Sequence, residues 1–357
     1  MSKKRLTVGI TGMNARPDNP GPGYAVARCL RAAPDFHGRI VALSYDALDP
    51  GLYSADVCDA AYLLPYPSAG DVPLLEHLQT IQDTANVDIL IPCLDAELPG
   101  MVRLEAQLRA LNITTFLPSA DQLRMRGKDR LAQIAQLGAI HCPETRSVSH
   151  TAFFYDCHKD DWHYPLVVKG LYYDARIVRN AGEGAEAFRK ISAEWGVPVL
   201  VQRVVQGDEI NLAAVGDGTG NMLGAVMMKK LAVTEKGKAW AGVSIVDETL
   251  LAASAAIVRE LQWRGPLEVE VMRDTQGRYQ LIEINPRFPA WIFLSTGVGR
   301  NLPWALVQLA LGQTPAEFPP AVPGVLFIRR AQEMIVPMTQ FETMVTVGAL
   351  DFSDKTS

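Results

Sequence analysis

Acidic residues alternate with apolar ones along residues 265–287, GPLEVEVMRDTQGRYQLIEINPR, a run typical of two strands joined by a tight turn. Successive side chains of a strand point to opposite faces of a sheet, so Glu268 and Glu270 share one face of the first strand. Glu283 and Asn285 likewise share one face of the second strand. The opposite faces carry apolar residues, namely Leu267, Val269 and Val271 on the first strand and Ile282 and Ile284 on the second.

The predicted pairing of the two strands brings acidic side chains together. If the hairpin closes around Gln276-Gly277, Glu270 lies opposite Glu283, and like charges in that arrangement destabilise a sheet. A positive group is therefore expected between them. Two carboxylates and the amide carbonyl of Asn285 suit a hard divalent cation, and Mg²⁺ usually completes such a set with waters and substrate phosphates. Mg²⁺ or Mn²⁺ is thus the predicted metal.

An arginine follows the acidic face of the hairpin. Arg287 stands two residues beyond Asn285 on the same side, after Pro286, whose ring restricts the backbone. The planar fork of an arginine binds a phosphate through two hydrogen bonds, so an arginine beside a cation site indicates that a phosphate is handled there. A solvated hairpin face remains the alternative, which would explain the glutamates but neither Asn285 nor Arg287.

The end of this region resembles a known protein family. The run LIEINPR, followed by STGVGRNLPWALVQLALG, looks like the end of an ATP-grasp domain and is most similar to the carbamoyl-phosphate synthetase large-chain branch of that superfamily. The resemblance implies that Glu283 and Asn285 hold Mg²⁺ and that Glu270 is a further ligand. It also implies that Arg287 is catalytic, through contact with phosphate or with the reacting acyl group.

Upstream motifs of the same family recur in order along the chain. Lys128 in GKDR and Lys169 at the end of YPLVVKG match two lysines that contact the ATP phosphates, and Lys169 is also expected to act in catalysis. In the segment VLVQRVVQGDEINL, the resemblance places adenine against the backbone and the ribose hydroxyls on a glutamate. The residues concerned are Gln202, Arg203, Val204 and Val205 for adenine and Glu209 for the ribose.

One segment departs from the family pattern. Many relatives have a flap rich in glycine and serine over the β- and γ-phosphates, whereas this chain has GLYYDARIVRN, with bulky Tyr172 and Tyr173. Side chains of this size leave the loop amides less free to wrap phosphates. Arg176 or Arg179 is another source of positive charge. Whether the YYDAR flap (172–176) supports full phosphoryl transfer stays open.

Residues 1–118 alternate strand and helix patterns. Strands are predicted at Leu6–Thr11, Arg39–Ser44 and Val87–Pro92, and a helix at Tyr24–Ala33. Such alternation predicts a parallel, doubly wound sheet whose ligand crevice lies at the carboxyl ends of the strands. The resemblance extends this to an α/β protein with the ATP-grasp fold, in which a Rossmann-like pre-grasp domain (1–118) precedes two α+β lobes that clamp ATP, a small lobe (119–205) and a large lobe with the metal site (206–357).

Several features have more than one interpretation. The Gly/Pro-rich loop at residues 12–23 could present backbone amides to an anion at a helix N-terminus, or it could be a structural turn. Asp95 and Glu97 could meet a cationic acceptor, solvate their loop or cap the next helix. A helix is predicted from about Lys128 to Leu137. Four lysines could bind a carboxylate or phosphate or could be solvated: Lys229, Lys230, Lys236 and Lys238.

Composition excludes several classes of protein. The 357 residues are 48% hydrophobic and 20% charged, as in an ordinary globular protein. A net charge of −5 without a basic block argues against nucleic acid as a partner. The absence of an apolar run of about 18 residues argues against a membrane span or signal peptide. Five scattered cysteines, an odd number, argue against a disulfide framework or zinc site and favour the cytoplasm.

The resemblance implies two-step chemistry. A carboxylate attacks the γ-phosphate of ATP to give an acyl phosphate and ADP, and an amine then displaces the phosphate. The expected function is an ADP-forming carboxylate–amine ligase whose partners are ATP, a small carboxylate and an amine acceptor such as an amino acid or peptide, with a homodimer left open. A carbamoyl-phosphate- or carboxyphosphate-forming enzyme and a nucleotide-binding regulatory protein without turnover remain alternatives.

Overall fold

The N-terminal unit is built on a parallel sheet. The computed structural model describes residues 5–170 and 175–352. The elements are β1 (Thr7–Ile10), α1 (Gly23–Arg31), β2 (Arg39–Ser44), β3 (Ala60–Leu63), α2 (Asp71–Ala85), β4 (Ile89–Ile91), α3 (Leu98–Arg103) and α4 (Glu105–Ala110). The strands pair in parallel in the order β3-β2-β1-β4, which confirms the predicted sheet.

The Gly/Pro-rich loop at residues 12–23 packs tightly between β1 and α1. A Cβ atom on Gly23 would lie 2.0 Å from the carbonyl oxygen of Thr11, so only glycine fits there. The backbone N–H groups of Gly21 and Gly23 donate to the carbonyls of Asn14 and Gly12 at 2.7 and 3.0 Å. These two amides are therefore occupied within the loop, which favours the structural-turn interpretation.

The second unit is a small antiparallel sheet covered by a helix. The elements are α5 (Ala120–Met125), α6 (Leu131–Leu137), β5 (Thr145–Val148), α7 (Ala152–Asp156), β6 (Leu166–Lys169), β7 (Ala175–Val178), α8 (Ala181–Trp195) and β8 (Val199–Arg203). The strand order is β5-β8-β6-β7. Phe154, Trp162 and Phe188 fill the core between this sheet and α8. The predicted helix 128–137 begins only at Leu131, so Lys128 lies in the preceding turn.

The third unit is a larger antiparallel sheet. This part of the chain comprises β9 (Gly207–Asp217), β10 (Met222–Val233), β11 (Ala239–Ile245), α9 (Glu248–Leu261), β12 (Arg264–Asp274), β13 (Tyr279–Asn285), α10 (Phe293–Gly297), α11 (Leu302–Ala310), β14 (Leu326–Ile328), α12 (Met338–Val347) and β15 (Ala349–Asp351), and all of these strands except β15 belong to the large sheet. Short 3₁₀ turns lie at Pro50–Tyr53, Pro67–Ala69 and Cys157–Asp160. The third sheet has the order β13-β12-β9-β10-β11-β14.

One face of the large sheet is apolar and holds the strands in place. Leu267, Val269 and Val271 of β12 are fully buried in one cluster with residues of α6 and α9, as the alternation predicts. Each such side chain stabilises the fold by about 1.5–3 kcal/mol when fully buried. The opposite face of the same strands therefore has a fixed orientation, and it is this face that carries the acidic residues.

Two segments pack differently from the division into 1–118, 119–205 and 206–357. Helix α6 packs against α9 and β13 of the large sheet, because its apolar residues Leu131 and Ile134 join that core. Strand β15 pairs antiparallel with β3 at the edge of the N-terminal sheet. The chain thus returns to its first unit at residues 349–351. No helix in the described ranges is both long and apolar enough to cross a lipid bilayer.

Arg264 links the large sheet to the N-terminal unit. Its guanidinium donates from Nη1 to the Leu117 carbonyl at 2.8 Å and to Glu105 Oε1 at 3.0 Å, and from Nη2 to the Thr115 carbonyl at 3.1 Å. It also lies 4.5 Å from the centre of the Phe116 ring. These contacts join residues almost 150 positions apart in the sequence.

Replacing this side chain should loosen the junction. We expect Arg264→Ala to lower the free energy of unfolding by about 2 kcal/mol, because it removes the donor from two backbone carbonyls and the partner from Glu105. Arg259→Ala, which removes an exposed arginine beside Glu260, should change it by less than about 0.5 kcal/mol. Urea unfolding followed by fluorescence gives both values. Equal effects of the two substitutions would contradict the role of Arg264.

Candidate active site

The acidic face predicted from the sequence forms at the β13 edge of the large sheet. Glu270 lies directly opposite Glu283 in the β12–β13 pair, and Glu268 lies opposite Asn285, as predicted. On its other side β12 pairs with β9, where Asn211 is opposite Glu270. Polar side chains from three neighbouring strands therefore share one face.

The turn of this hairpin closes differently from the prediction around Gln276-Gly277. The Asp274 carboxylate accepts hydrogen bonds from the backbone N–H groups of Gln276 and Arg278, both at 2.9 Å. Because Asp274 organises the turn in this way, Arg273 pairs with Tyr279 near the turn. The pairing of the two strands near the turn is therefore shifted by one residue relative to their pairing at Glu270 and Glu283.

A β-bulge at Ile282 accounts for this one-residue shift in the pairing of β12 with β13. It lies between the Glu270–Glu283 and Val271–Leu281 pairs, and a bulge of this kind redirects the side chains that follow it. Ile282 is only partly buried, whereas Leu281 and Ile284 are both in the core. The prediction that Ile282 belongs to the apolar face is therefore wrong, because Leu281 takes that place.

Glu268 is fully surrounded by donors. Its Oε1 accepts hydrogen bonds from Asn211 Nδ2 and Trp291 Nε1, both at 2.7 Å. Burial opposes ionisation of this carboxylate, but the charges of Arg287 and Lys230 outweigh burial and hold the pKa of Glu268 below its usual value. Glu268 is thus an ionised, fixed part of the site.

The pKa of Glu270 is shifted in the opposite direction to that of Glu268. Burial raises the pKa of its carboxyl group, the neighbouring charges of Glu268 and Glu283 raise it further, and Lys230 offsets this only in part. Its Oε1 accepts a hydrogen bond from Asn285 Nδ2 at 2.7 Å. A cation placed beside Glu270 would therefore stabilise its ionised form.

Two ammonium groups approach the acids from other elements. Lys230 of β10 forms an ion pair with Glu209, and its Nζ lies 4.0 Å from Glu270 Oε2. Lys128 reaches Glu283, with its Nζ 3.4 Å from Oε1. The positive groups expected beside Glu270 and Glu283 are therefore present. One is Lys128, which the sequence predicts to bind phosphate, and the other is Lys230, one of the four lysines with more than one interpretation.

The donor set suits a cation that also binds a phosphate. Within residues 5–170 and 175–352, no group of three or more His, Cys, Asp or Glu side chains could hold a metal ion by itself. Glu270, Glu283 and Asn285 supply two carboxylates and one amide, which leaves several positions of an octahedral Mg²⁺ to waters and phosphate oxygens. The buried Oδ1 of Asn211 has no hydrogen-bond partner and lies on the same face. The residues present therefore fit Mg²⁺ bound together with a nucleotide.

Lys169 lies at the end of β6, close to this acidic cluster. Its side chain is buried, and burial, followed by the charge of Lys128, lowers the pKa of Lys169 to about 8. The carboxylate of Glu283 acts in the opposite direction. The structure thus brings both predicted phosphate lysines to the predicted metal ligands. Tyr172 and Tyr173 of the flap lie outside the described residues, and Arg176 is exposed on β7.

The segment between β8 and β9 contains the residues predicted to bind adenine. Val204 and Val205 lie between the two strands. The Gln202 side chain donates to Thr145 Oγ1 at 2.8 Å. Arg203 pairs with Glu144 at 2.6 Å and lies 4.8 Å from the Trp162 ring centre. Gln202 is also paired with strands on both sides, and the N–H of Arg203 donates to the Glu144 carbonyl at 3.0 Å, so the backbone that this segment offers to a ligand begins where the strand ends, at Val204 and Val205.

Arg287 is buried between Asp95, which follows β4, and Glu268 of the acidic hairpin face. Its Nε donates to Asp95 Oδ2 at 2.8 Å, its Nη1 donates to the Phe288 carbonyl at 3.2 Å, and Nη1 lies 3.6 Å from Glu268 Oε2. Burial would lower the pKa of this guanidinium, but Asp95 and Glu268 raise it. Arg287 therefore remains a fixed positive charge beside the metal ligands.

The two acids after β4 have different roles. Glu97 is buried and accepts hydrogen bonds from Thr11 and Tyr45 and from the backbone N–H groups of Cys93 and Leu94 at 2.7 and 2.8 Å. It therefore organises its own loop and does not face a substrate. Asp95 binds Arg287, whereas the sequence suggested a cationic acceptor, loop solvation or a helix cap.

Several site residues were not identified from the sequence. The alternation placed Glu268 on the acidic face, but nothing in the neighbouring sequence showed that Asn211 and Trp291 would bind its carboxylate, in contrast to the predicted metal ligands Glu270 and Glu283. Lys230 was one of four candidate lysines, and only the fold shows that it is buried, whereas Lys229 pairs with Asp208 and Lys236 lies near Asp18. Asn211 was not singled out, although an asparagine is uncommon within an apolar strand such as NLAAV and could have served as a signal.

Comparison with known proteins agrees with this geometry. A family model described as "ATP-grasp in the biosynthetic pathway with Ter operon" matches residues 196–333, which include β9 to β13. The pyruvate carboxylase of Aspergillus niger is 24% identical over 172 residues, which are 43% of this chain and 14% of that protein. The chain therefore spans a small part of the length of this curated relative.

Two solved structures share the fold over most of the chain. The biotin carboxylase domain of 2-oxoglutarate carboxylase from Hydrogenobacter thermophilus, a dimer in complex with MgADP, ADP and bicarbonate, has a TM-score of 0.67 at 14% identity and covers 87% of this chain and 70% of its own. The L-amino acid ligase from Bacillus licheniformis has a TM-score of 0.63 at 17% identity and covers 88% of this chain and 76% of its own. With the match of residues 196–333 to an ATP-grasp family model, these similarities confirm the resemblance drawn from LIEINPR and show that the chain has the ATP-grasp fold.

Proposed function

We propose that the chain is an ATP-dependent ligase that activates a carboxylate as an acyl phosphate, with release of ADP, and transfers the acyl group to an amine. The observation that carries this proposal is the convergence of Lys128 and Lys169 with Glu270, Glu283 and the buried Arg287. Opposed acids, phosphate-binding lysines and an anion-binding arginine within one site are what phosphoryl transfer requires, because catalysis there consists largely of positioning and charge neutralisation.

The nucleotide would lie between the small and large sheets. Adenine would bind the backbone of Gln202, Arg203, Val204 and Val205, and the ribose hydroxyls would bind Glu209. Lys128 and Lys169 would hold the phosphates. In support, Lys230 pairs with Glu209 and also approaches Glu270, so the proposed ribose and metal residues are joined through one side chain.

Mg²⁺ or Mn²⁺ would be held by Glu270, Glu283 and Asn285. When bound, the ion would neutralise charge on the phosphates during transfer. The protein's own residues then carry the remaining tasks. Asn285 fixes Glu270 through its amide, and Lys128 and Lys230 limit the repulsion between the carboxylates.

Arg287 would act on the group that is transferred. In the first step an oxygen of the substrate carboxylate bonds to the γ-phosphorus while the bond to the ADP oxygen breaks. In the second step the amine bonds to the acyl carbon and phosphate leaves. Charge on the transferring group and on the acyl oxygen develops only as these bonds change, so Arg287 should affect turnover more than nucleotide affinity.

ADP release in the presence of candidate substrates tests this function. We expect ADP release to depend on Mg²⁺ and on a carboxylate together with an amine, with amino acids and small peptides as the first candidates, and mass spectrometry to show the amide product. Release that depends on bicarbonate alone would instead identify a carboxyphosphate- or carbamoyl-phosphate-forming enzyme. ADP binding without turnover on any substrate would contradict the ligase and favour the regulatory alternative.

Glu283→Gln should abolish this turnover without unfolding the protein. The substitution removes one charge from the predicted metal ligands, so Mg²⁺-dependent ADP release should be lost. The melting temperature in chelator should be unchanged or slightly higher, because the repulsion between Glu270 and residue 283 is relieved. Glu260→Gln, on the exposed surface of α9, is the control and should leave both quantities unchanged. Normal Mg²⁺-dependent release by Glu283→Gln would refute the metal assignment.

Nucleotide affinity should depend on Lys169 and Glu209. We expect Lys169→Ala to weaken ADP binding by about 1.5–3 kcal/mol, the value of a hydrogen bond to a charged group, and Glu209→Ala to weaken it by less. Wild-type affinity should also fall as the pH rises through about 8, the value to which burial and Lys128 lower the pKa of Lys169. This pH dependence should be weaker in Lys169→Ala, where Glu270, whose pKa burial raises to about 8, still titrates in the same range.

Isothermal titration calorimetry measures these affinities. Lys229→Ala is the matched control, because Lys229 lies next to Lys230 on β10 but pairs with Asp208 at 2.7 Å. Dissociation constants that are unaltered in both Lys169→Ala and Glu209→Ala would show that the nucleotide lies elsewhere.

A further inference from the structure

The contact between Asp95 and Arg287 joins the N-terminal unit to the proposed catalytic arginine. Asp95 follows β4, and its Oδ2 accepts a hydrogen bond at 2.8 Å from the Nε of Arg287, which is 192 positions away in the sequence. Arg126 lies on the other side of this carboxylate, with its Nη1 3.5 Å from Asp95 Oδ1. The side chain of Arg287 is 10% exposed and that of Asp95 20%, so water competes little for the contact.

The loop that carries Asp95 is held firmly by the N-terminal unit. Glu97 is buried and binds two hydroxyl groups and two backbone N–H groups of the same unit, and the N–H of Cys93 also donates to Thr11 Oγ1 at 2.8 Å. A satisfied, buried network of this kind rigidifies its surroundings. The position of the Asp95 carboxylate is therefore set by the N-terminal fold.

The guanidinium of Arg287 is fixed along two of its edges. Asp95 binds Nε, while the Phe288 carbonyl binds Nη1 and Glu268 lies beside it. Within the described residues, Nη2 has no hydrogen bond. Arg126 and Arg287 keep Asp95 ionised, since both lower the pKa of this carboxyl group against the effect of burial. The plane of the guanidinium is thus defined, and one nitrogen remains for a ligand.

We propose that Asp95 is a positioning residue of the reaction, which acts through Arg287 by fixing the plane of its guanidinium so that Nη2 is presented to the transferring group. This inference rests on the proposed function. It assigns to the N-terminal unit a part in the chemical step, although none of that unit's residues belongs to the predicted nucleotide or metal site. The alternative is that the ion pair only attaches the unit to the large sheet.

A double-mutant cycle separates these two roles. We expect Asp95→Asn, which keeps an oxygen acceptor but removes the charge, to lower kcat about tenfold with little change in the Kd for ADP. Arg287→Lys should lower kcat at least about tenfold, because a lysine lacks the fork. The double variant should be no slower than Arg287→Lys alone, since Asp95 has no arginine left to position.

The control is another ion pair of the same unit. Asp46 pairs with Arg16 at 2.8 Å, and both side chains are partly exposed to water, so Asp46→Asn should leave kcat and Kd unchanged. An Asp95→Asn variant with unchanged or raised kcat would overturn the proposal, and so would losses that simply multiply in the double variant. The latter result would mean that Asp95 acts by a route other than Arg287.

A measurement that needs no turnover tests the contact itself. In nuclear magnetic resonance spectra of arginine-labelled protein, the Nε–H of Arg287, assigned from its absence in Arg287→Lys, should exchange slowly with water in the wild type and rapidly in Asp95→Ala. Rapid exchange in the wild type would overturn the inference. If Asp95→Ala does not fold, the Nε–H of Arg287 should exchange faster in Asp95→Asn than in the wild type, because an uncharged amide oxygen is a weaker acceptor than a carboxylate; equal rates would overturn the inference.

Failure of the proposed function would look different. If the Nε–H of Arg287 exchanges slowly in the wild type but the protein releases no ADP with any carboxylate, the proposed ligase function fails. The positioning role of Asp95 in the reaction then fails too, while the contact between Asp95 and Arg287 stands.

Discussion

Repulsion among neighbouring carboxylates is the constraint on which the rest of this structure depends. Glu268, Glu270 and Glu283 lie on one face of two paired strands, and such a face is stable only if positive charge is brought to it. That charge comes from three separate parts of the chain. Lys128 precedes α6, Lys230 lies on β10, and Arg287 follows β13 and is itself held by the N-terminal unit.

The other face of the same two strands is apolar and needs no charge compensation. There, Leu267, Val269 and Val271 pack against helices α6 and α9 and fix the strands by burial of apolar surface. Because side chains alternate along a strand, an apolar core on one face determines where the acids point on the other. The bulge at Ile282 completes this arrangement, since it lets a turn organised by Asp274 coexist with the pairing of Glu270 and Glu283.

Local patterns predicted the parts of the site that depend on alternation. The facing of Glu270 and Glu283 follows from period-two spacing, and the fold class followed from LIEINPR and the order of the upstream motifs. What could not be predicted depends on contacts between distant segments. Nothing near Asp95 indicates that it meets Arg287, and only the assembled sheet distinguishes Lys230 from its neighbours. The Ile282 bulge was missed because the turn chemistry of Asp274 outweighed the Gln276-Gly277 signal.

Binding of Mn²⁺, followed by electron paramagnetic resonance with and without ADP, tests the central claim most directly. Two carboxylates and one amide, with lysines beside them, should bind the ion only weakly alone and much more tightly when phosphate oxygens complete its coordination. The account therefore predicts that ADP strengthens Mn²⁺ binding at least tenfold and that the bound ion shows magnetic coupling to phosphorus. Mn²⁺ that binds equally well without ADP, or that shows no coupling to phosphorus, would contradict it.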